Sequence, residues 1–216
     1  MKTKIILFAL LLTVMSANAQ KRHKSRSKGP EFKNAVRVDV LPSLVSQYQL
    51  TYERALNNRF SAGLSAGYIS RSSSIEIDGV TISKSTTTGI VLIPEAKFYF
   101  KETFDGWYTG AYFRYKNLNS KYPALDEKVP DWSYKVNRST ISGGVVIGYH
   151  YAIFDRISMD YFIGPHFKSV STKKTFDKAG VTDEDVPVYD VSFFDNLFAE
   201  KSGVGVRVGF NIGFVF

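Results

Sequence analysis

Strict alternation of apolar and polar positions dominates the chain after its first few dozen residues, and helical periodicity is nearly absent. The last stretch is the clearest. Val204, Val206, Val208, Phe210, Ile212, Phe214 and Phe216 are apolar, and Gly203, Gly205, Arg207, Gly209, Asn211, Gly213 and Val215 interleave with them. A period of two puts each set on its own face of a strand. A soluble barrel would turn large apolar side chains inward and charges outward. This strand does the reverse, so it predicts a barrel whose exterior meets hydrocarbon and whose crowded interior takes glycine and charge.

The same pattern occurs seven more times. Val36, Val38 and Val40 alternate with Arg37 and Asp39, and Tyr48, Leu50 and Tyr52 with Gln47, Gln49, Thr51 and Glu53. Phe60 to Tyr68 carries its apolar residues on even positions, and Ile90, Leu92, Ala96, Phe98 and Phe100 share a strand with Glu95, Lys97 and Tyr99, although Val91 and Ile93 blur it. Trp107, Thr109, Ala111, Phe113 and Tyr115 face away from Tyr108, Gly110, Tyr112, Arg114 and Lys116. Ile141 to Tyr151 sets Ser142, Gly144, Gly148 and His150 inside, and Ile157 to Phe167 does so with Ser158, Asp160, Gly164, His166 and Lys168. The expected fold is all-β, an eight-stranded antiparallel up-and-down transmembrane barrel over residues 34–216.

Turn chemistry orders the strands into hairpins. Ala55 to Phe60, Thr103 to Trp107 and Ile153 to Ile157 are three versions of one tight turn around Asn58, Asp105 and Asp155. Longer polar connections are expected at about 71–87, 117–138 and 169–202, and a short one at Leu41 to Ser46. Short turns at one end and long loops at the other imply periplasmic turns and termini, with the loops outside the cell. Phe100, Phe104, Trp107, Tyr151, Phe154 and Phe216 then mark the turn-side membrane interface, and Tyr48, Tyr68 and Tyr115 the outer one.

The N-terminus reads as an export address. Two lysines precede the apolar run Ile5 to Met15, and Ala17-Asn18-Ala19 supplies small residues for cleavage before Gln20. A run that short does not span a bilayer. The net charge of +8 looks like a nucleic-acid signal until it is located. Lys2 and Lys4 belong to the signal, and Lys21, Arg22, Lys24, Arg26 and Lys28 lie in a basic arm over 20–33 that is expected to be disordered, so residues 29–216 keep only +1. Nucleic acid is therefore not an expected partner. The absence of cysteine excludes a lipoprotein anchor, disulfides and thiolate metal sites.

With the signal ending Ala-Asn-Ala-Gln, eight amphipathic strands and the terminal Gly213-Phe214-Val215-Phe216, the chain resembles small outer membrane barrels of the OmpA/OmpX type. More narrowly, it is similar to uncharacterised Bacteroidetes barrel families, which also carry a run like Tyr52-Glu53-Arg54 before a tight turn. The resemblance implies an outer membrane location, and implies that Phe214 and Phe216 serve as the signal read by the barrel-assembly machinery. It implies no activity.

Chemistry, if any, sits inside the barrel. An eight-stranded lumen is filled by side chains, and charges there must pair. Arg37, Asp39, Glu53, Glu95, Lys97, Arg114, Lys116, His150, Asp160, Lys168 and Arg207 are expected to form a mixed-sign structural network. Symmetric hairpins would set Glu95 opposite Arg114 and His150 opposite Asp160. His150 and His166 lie at heights differing by roughly 14 Å, too far apart to share a metal. His150 with Asp160 imitates part of a triad, but no inward serine is evident beside them. The acidic run Thr182 to Asp185 with Asp190 lacks the spacing of a calcium loop. No cofactor or metal is expected. The favoured reading is a monomeric, non-enzymatic barrel in contact with outer membrane lipid, structural in the envelope or binding a surface ligand through residues 169–202. An outer-leaflet lipid-modifying enzyme and a narrow channel are the alternatives.

Overall fold

The structure is a computed structural model and describes residues 32–43, 46–77, 80–123, 133–153, 156–177 and 202–216. The export signal, all of the basic arm except Phe32 and Lys33, the Phe154-Asp155 turn tip and the Thr182 to Asp190 acidic run lie outside the described residues.

Eight strands form: β1 (Asn34–Asp39), β2 (Gln47–Ala55), β3 (Phe60–Ile77), β4 (Val80–Tyr99), β5 (Gly106–Tyr122), β6 (Tyr134–Ile153), β7 (Ile157–Phe176) and β8 (Gly203–Val215). Each pairs antiparallel with its neighbour in chain order, and β8 pairs with β1 to close the barrel. At that seam Ala35 meets Val215 and Asp39 meets Asn211. Phe216 and Asn34 exchange two backbone hydrogen bonds of 2.9 Å. Closure pairs every strand on both sides at the level of the ring, while among the described residues β3 beyond Ser70 and β7 beyond Lys168 run on paired to β4 and β6 alone.

The faces fall as the alternation requires. Val206 is 66% exposed and Phe214 61%, whereas Arg37 is 1% and Glu53 0%. Phe210 has the outward parity of Val208 but is buried, because its ring stacks on Tyr161 at 4.7 Å. Val91 and Ile93 face inward and are buried, which resolves the blurred fourth strand.

Four expectations are corrected. Val40 does not continue β1: it opens a short helix, α1 (Val40–Ser43), in which Pro42 has no N–H for a ladder and the Ser43 hydroxyl donates to the Asp39 carbonyl at 2.8 Å. The connection placed at 71–87 is almost wholly strand, and strand takes up the flanks of the other two, since β3 and β4 run to Ile77 and Val80, β5 and β6 to Tyr122 and Tyr134, and β7 to Phe176; residues 124–132 and 178–201 lie outside the described residues. Their outward face has become Ser, Thr and Asn, which bond across the hairpin: Asn117 Nδ2 donates to Ser139 Oγ at 2.8 Å and Asn137 Nδ2 to Asn119 Oδ1 at 2.7 Å. Polar composition therefore conceals a continuing ladder.

The third correction concerns register. Glu95 pairs with Tyr112, not Arg114. The β4–β5 turn centres on Thr103 and Phe104, with Asp105 N–H donating to the Glu102 carbonyl at 2.9 Å, so the hairpin slips by an even step and every side chain keeps its face. The fourth concerns Phe104, which is not an interface aromatic. With φ at +69° its ring turns into the end of the barrel, 3% exposed, edge-on to Tyr99 and His150. Phe32 packs against the same cluster.

Inward glycines make room for the rings opposite them in register. Tyr108 faces Gly148, and Phe162 faces Gly209. A Cβ at Gly148 would come 2.3 Å from the Tyr108 ring, and one at Gly209 would come 2.0 Å from Phe162. These glycines are the floor on which aromatic side chains lie across the lumen. Gly209→Val is predicted to cost about 1–3 kcal/mol through overpacking. Gly143→Val, whose Cβ meets nothing closer than 3.6 Å, should change the urea midpoint little.

Candidate functional site

The lumen divides into two levels. At the turn end, β1, β2, β4 and β7 each contribute one charged side chain to a single cluster: Arg37, Glu53, Lys97 and Asp160. Glu53 accepts from the Arg37 guanidinium, from Lys97 Nζ and the Tyr99 hydroxyl, both at 2.9 Å, and from the Ser61 hydroxyl. Asp160 accepts from Lys97 at 2.9 Å, from the Tyr108 hydroxyl at 2.6 Å and from Asn211 Nδ2 at 3.4 Å. Lys97 thus bridges two carboxylates from opposite sides of the ring, and it also lies 4.6 Å from the Tyr108 ring centroid. Glu95, one pleat above Lys97, reaches it at 3.3 Å.

Burial is why the Glu53 and Asp160 carboxylates must be answered so fully, even though Arg37 Nε and Nη1 are left without a hydrogen-bond partner. A carboxylate out of water costs several kcal/mol unless its lone pairs and charge are answered. Two cations and two anions answer each other, and the two phenols fill the remaining acceptor positions.

His150 pairs with Asp160 in register, as symmetry of that hairpin predicts. Their side chains, however, take other partners. His150 Nε2 is 2.7 Å from Ser158 Oγ and Nδ1 is 3.3 Å from the Tyr99 hydroxyl. The expectation that no inward serine accompanies His150 is therefore corrected: Ser158 is there, two residues along β7 and on the same face. Neither residue has any exposed surface, and the Phe104 ring covers the His150 ring at 5.5 Å. A hydroxyl sealed this way has no path to a substrate, so the pair completes the hydrogen bonding of a buried imidazole.

The remaining network residues lie nearer the loop end. Asp39 is buried and accepts from Gln49 Nε2 at 3.1 Å. The Arg207 guanidinium sits over two rings, 4.3 Å from the Tyr112 centroid and 4.6 Å from that of Phe162. Arg114, Lys116 and Lys168 share the inward face but are only partly buried. Arg114 and Lys168 both face Ser142, from β5 and β7. Of the eleven residues, Arg37, Glu53, Glu95, Lys97 and Asp160 gather in one bonded cluster at the turn end with His150 beside it, and the other five lie nearer the loops. Among the described residues, no three His, Cys, Asp or Glu side chains are grouped to hold a metal ion.

Residues 5–185 match a protein family described only as a protein of unknown function, DUF3575. The chain belongs to the DUF3575 family. In this DUF3575 chain the matched segment holds β1 to β7, with four of the five turn-end charged groups on β1, β2 and β4 and Asp160 on β7, and it stops before β8. The crystal structure of Acinetobacter baumannii CarO is similar at a TM-score of 0.41 and 13% identity, over 90% of this chain and all of that one. No curated protein matches the chain.

If Lys97 holds the DUF3575 lumen together, Lys97→Met should cost about 3–5 kcal/mol in urea unfolding, because it strands two buried carboxylates. Lys101→Met removes an ion pair to Asp105 that is largely in solvent, and should stay within about 1 kcal/mol. Adding Glu53→Gln to Lys97→Met should recover part of the loss.

Proposed function

We propose that this protein is a non-enzymatic outer membrane barrel with a closed lumen, structural in the envelope or presenting its outer hairpins and the 169–202 segment to a surface ligand. One observation carries the reading: a belt of exposed apolar side chains of constant height around a polar, plugged interior. Outward apolar runs extend from Phe60 to Tyr68 on β3, from Trp107 to Tyr115 on β5 and from Ile141 to Tyr149 on β6. Each covers about nine to eleven residues, the length a strand tilted by about 45° needs to cross hydrocarbon. Within the β5 run the Thr109 hydroxyl is answered by the Val146 carbonyl, to which it donates. Above the belt the outward face turns to Ser, Thr and Asn, as a strand leaving the bilayer requires.

The same picture supports the finer readings. Phe214 and Phe216 stand exposed on the outer face of the closing strand, where an assembly machinery can read them. An export signal cleaved before Gln20 would deliver the chain to the envelope, and the resemblance to Bacteroidetes barrels fits that destination. The buried rings of Tyr99, Phe104, Tyr108 and Phe162 fill the lumen on its turn side, which argues against the channel. The inaccessible Ser158–His150 pair argues against lipid chemistry.

Heat-modifiable migration of the detergent-extracted protein tests closure and location together: the unheated form should run ahead of the boiled one, in the outer membrane fraction. Leu64→Arg, in the belt, should destabilise the barrel in bilayers by about 2–4 kcal/mol, whereas Ser72→Arg, above it, should not. Equal effects at the two positions would remove the membrane reading.

A further inference from the structure

We infer that Arg54 and the apolar trough beside it hold one glycerophospholipid of the turn-side leaflet by its phosphate. The inference rests on the membrane reading above and gives the barrel's outer surface a lipid class and a site.

The outward face of the belt carries almost no charge. Among the described strand residues, its outward positions below the Ser, Thr and Asn level hold one charged side chain, Arg54. It is exposed on the same parity of β2 as Tyr48, Leu50 and Tyr52, opposite to the buried Glu53. Apolar surface flanks it along the chain, Tyr52 on one side and Leu56, 65% exposed, on the other. Its register neighbours on that face, Asn34 of β1 and Ala62 of β3, are uncharged. Among the described residues no carboxylate forms an ion pair with it. A guanidinium does not escape lipid by losing its proton, and a lipid-facing charge is unfavourable in step with its depth. With no described acid beside it, the answering anion comes from the lipid, and a phosphate takes a guanidinium as a bidentate fork.

The surroundings of Arg54 suit both a headgroup and its chain. The Tyr52 hydroxyl donates to Asn34 Oδ1 at 2.7 Å, which orients the amide next to Arg54. Asn34 Nδ2 reaches the Phe216 carbonyl at 3.5 Å, the long end of hydrogen bonding, and keeps an N–H for a phosphate oxygen. From Arg54 the register row runs through Ala62 and Ala96 to Ala111. Arg54 stands next to the last residue of β2, whereas Ala111 lies five residues beyond Gly106, the first of β5. The row therefore climbs from the turn end into the belt over three strand spacings, about 14 Å. Bulkier side chains wall it: Phe60 and Phe98, 5.0 Å apart, toward the turns, and Leu64 and Pro94 toward the loops. Such a trough alone would take any hydrocarbon. A cation at its foot selects a chain that ends in an anion, and its place at the turn-side rim selects the leaflet.

The full-length protein, folded in non-ionic detergent, would be mixed with phosphatidylglycerol, or with diacylglycerol of the same chains, and the retained lipid counted by native mass spectrometry. One phosphatidylglycerol per chain is expected at concentrations where diacylglycerol is lost. Arg54→Met should weaken that retention at least tenfold. Ala62→Phe, which fills the trough and leaves the cation, should weaken it as well. Arg59→Gln, at an exposed cation of the β2–β3 turn, should not. Arg54→Met exchanges a lipid-facing charge for an apolar chain and should still fold; if it does not, Arg54→Gln takes its place. Equal retention of the two lipids, retention unchanged in the Arg54 variant, or the same loss in Arg59→Gln overturns the site. Absence of heat-modifiable migration in the unmutated protein would instead overturn the barrel reading itself, so the two failures are distinct.

Discussion

A narrow closed barrel must solvate its own charges, and here that duty falls on Lys97. Its ammonium joins Glu53 on β2 to Asp160 on β7, two strands that share no backbone ladder. The backbone ring fixes each strand only to its neighbours. The lysine bridge ties walls that face each other across the lumen, and Arg37 on β1 adds a longer second tie to Asp160 on β7, at 3.9 Å. With Tyr99 and Tyr108 completing the acceptors, the cluster behaves as a transverse rivet: removing one member leaves opposite charge buried with nothing to answer it. Apolar contacts alone could fill the volume, but they would not dictate which strands stand opposite.

Much of this was legible in the chain because side-chain parity in a strand survives most errors. The eight strands, their two faces and the inward set from Arg37 to Arg207 follow from alternation, and the His150 to Asp160 register follows from a turn of symmetric composition. What could not be read depends on geometry that composition does not encode. The slip of Glu95 to Tyr112 comes from where the β4–β5 turn reverses, and an even slip leaves no trace in the pattern. Phe104 looks like any interface aromatic until its positive φ turns it inward. The long polar connections looked like loops because outward alternation ends when the outer face meets water, although pairing continues. Ser158 was visible on the inward face of its strand, but its contact with His150 needs the diagonal reach of a histidine ring, which register alone does not give.

The glycines show how local sequence and cross-lumen packing depend on each other. Gly148 and Gly209 are not there for conformational freedom; they sit under Tyr108 and Phe162, the rings that span the interior. Tyr108 then bonds Asp160 and lies beside Lys97, and Phe162 supports the Arg207 guanidinium. Each glycine therefore positions a charge indirectly, through the ring above it. Strand alternation, ring placement and ion placement are three consequences of one arrangement.

That arrangement also explains why the two ends of the lumen differ. At the turn end the strands are joined by tight turns that bond one another, as where the Thr103 amide and hydroxyl both donate to carbonyls of the β2–β3 turn at 2.8 Å. Such a base is rigid, and it can enforce the close geometry that a desolvated ion cluster demands. Toward the loop end the strands continue past the apolar belt as separate hairpins, and the β5–β6 arm carries its own stacked pair, Tyr122 on Tyr134 at 4.4 Å. There the inward charges are half in water, where like-signed residues are tolerated because solvent screens them. A rigid floor of directly paired charges beneath a wetter upper level is thus what this strand pattern yields: charge must be answered by direct contact where water is excluded, and solvent shares that duty only where water enters.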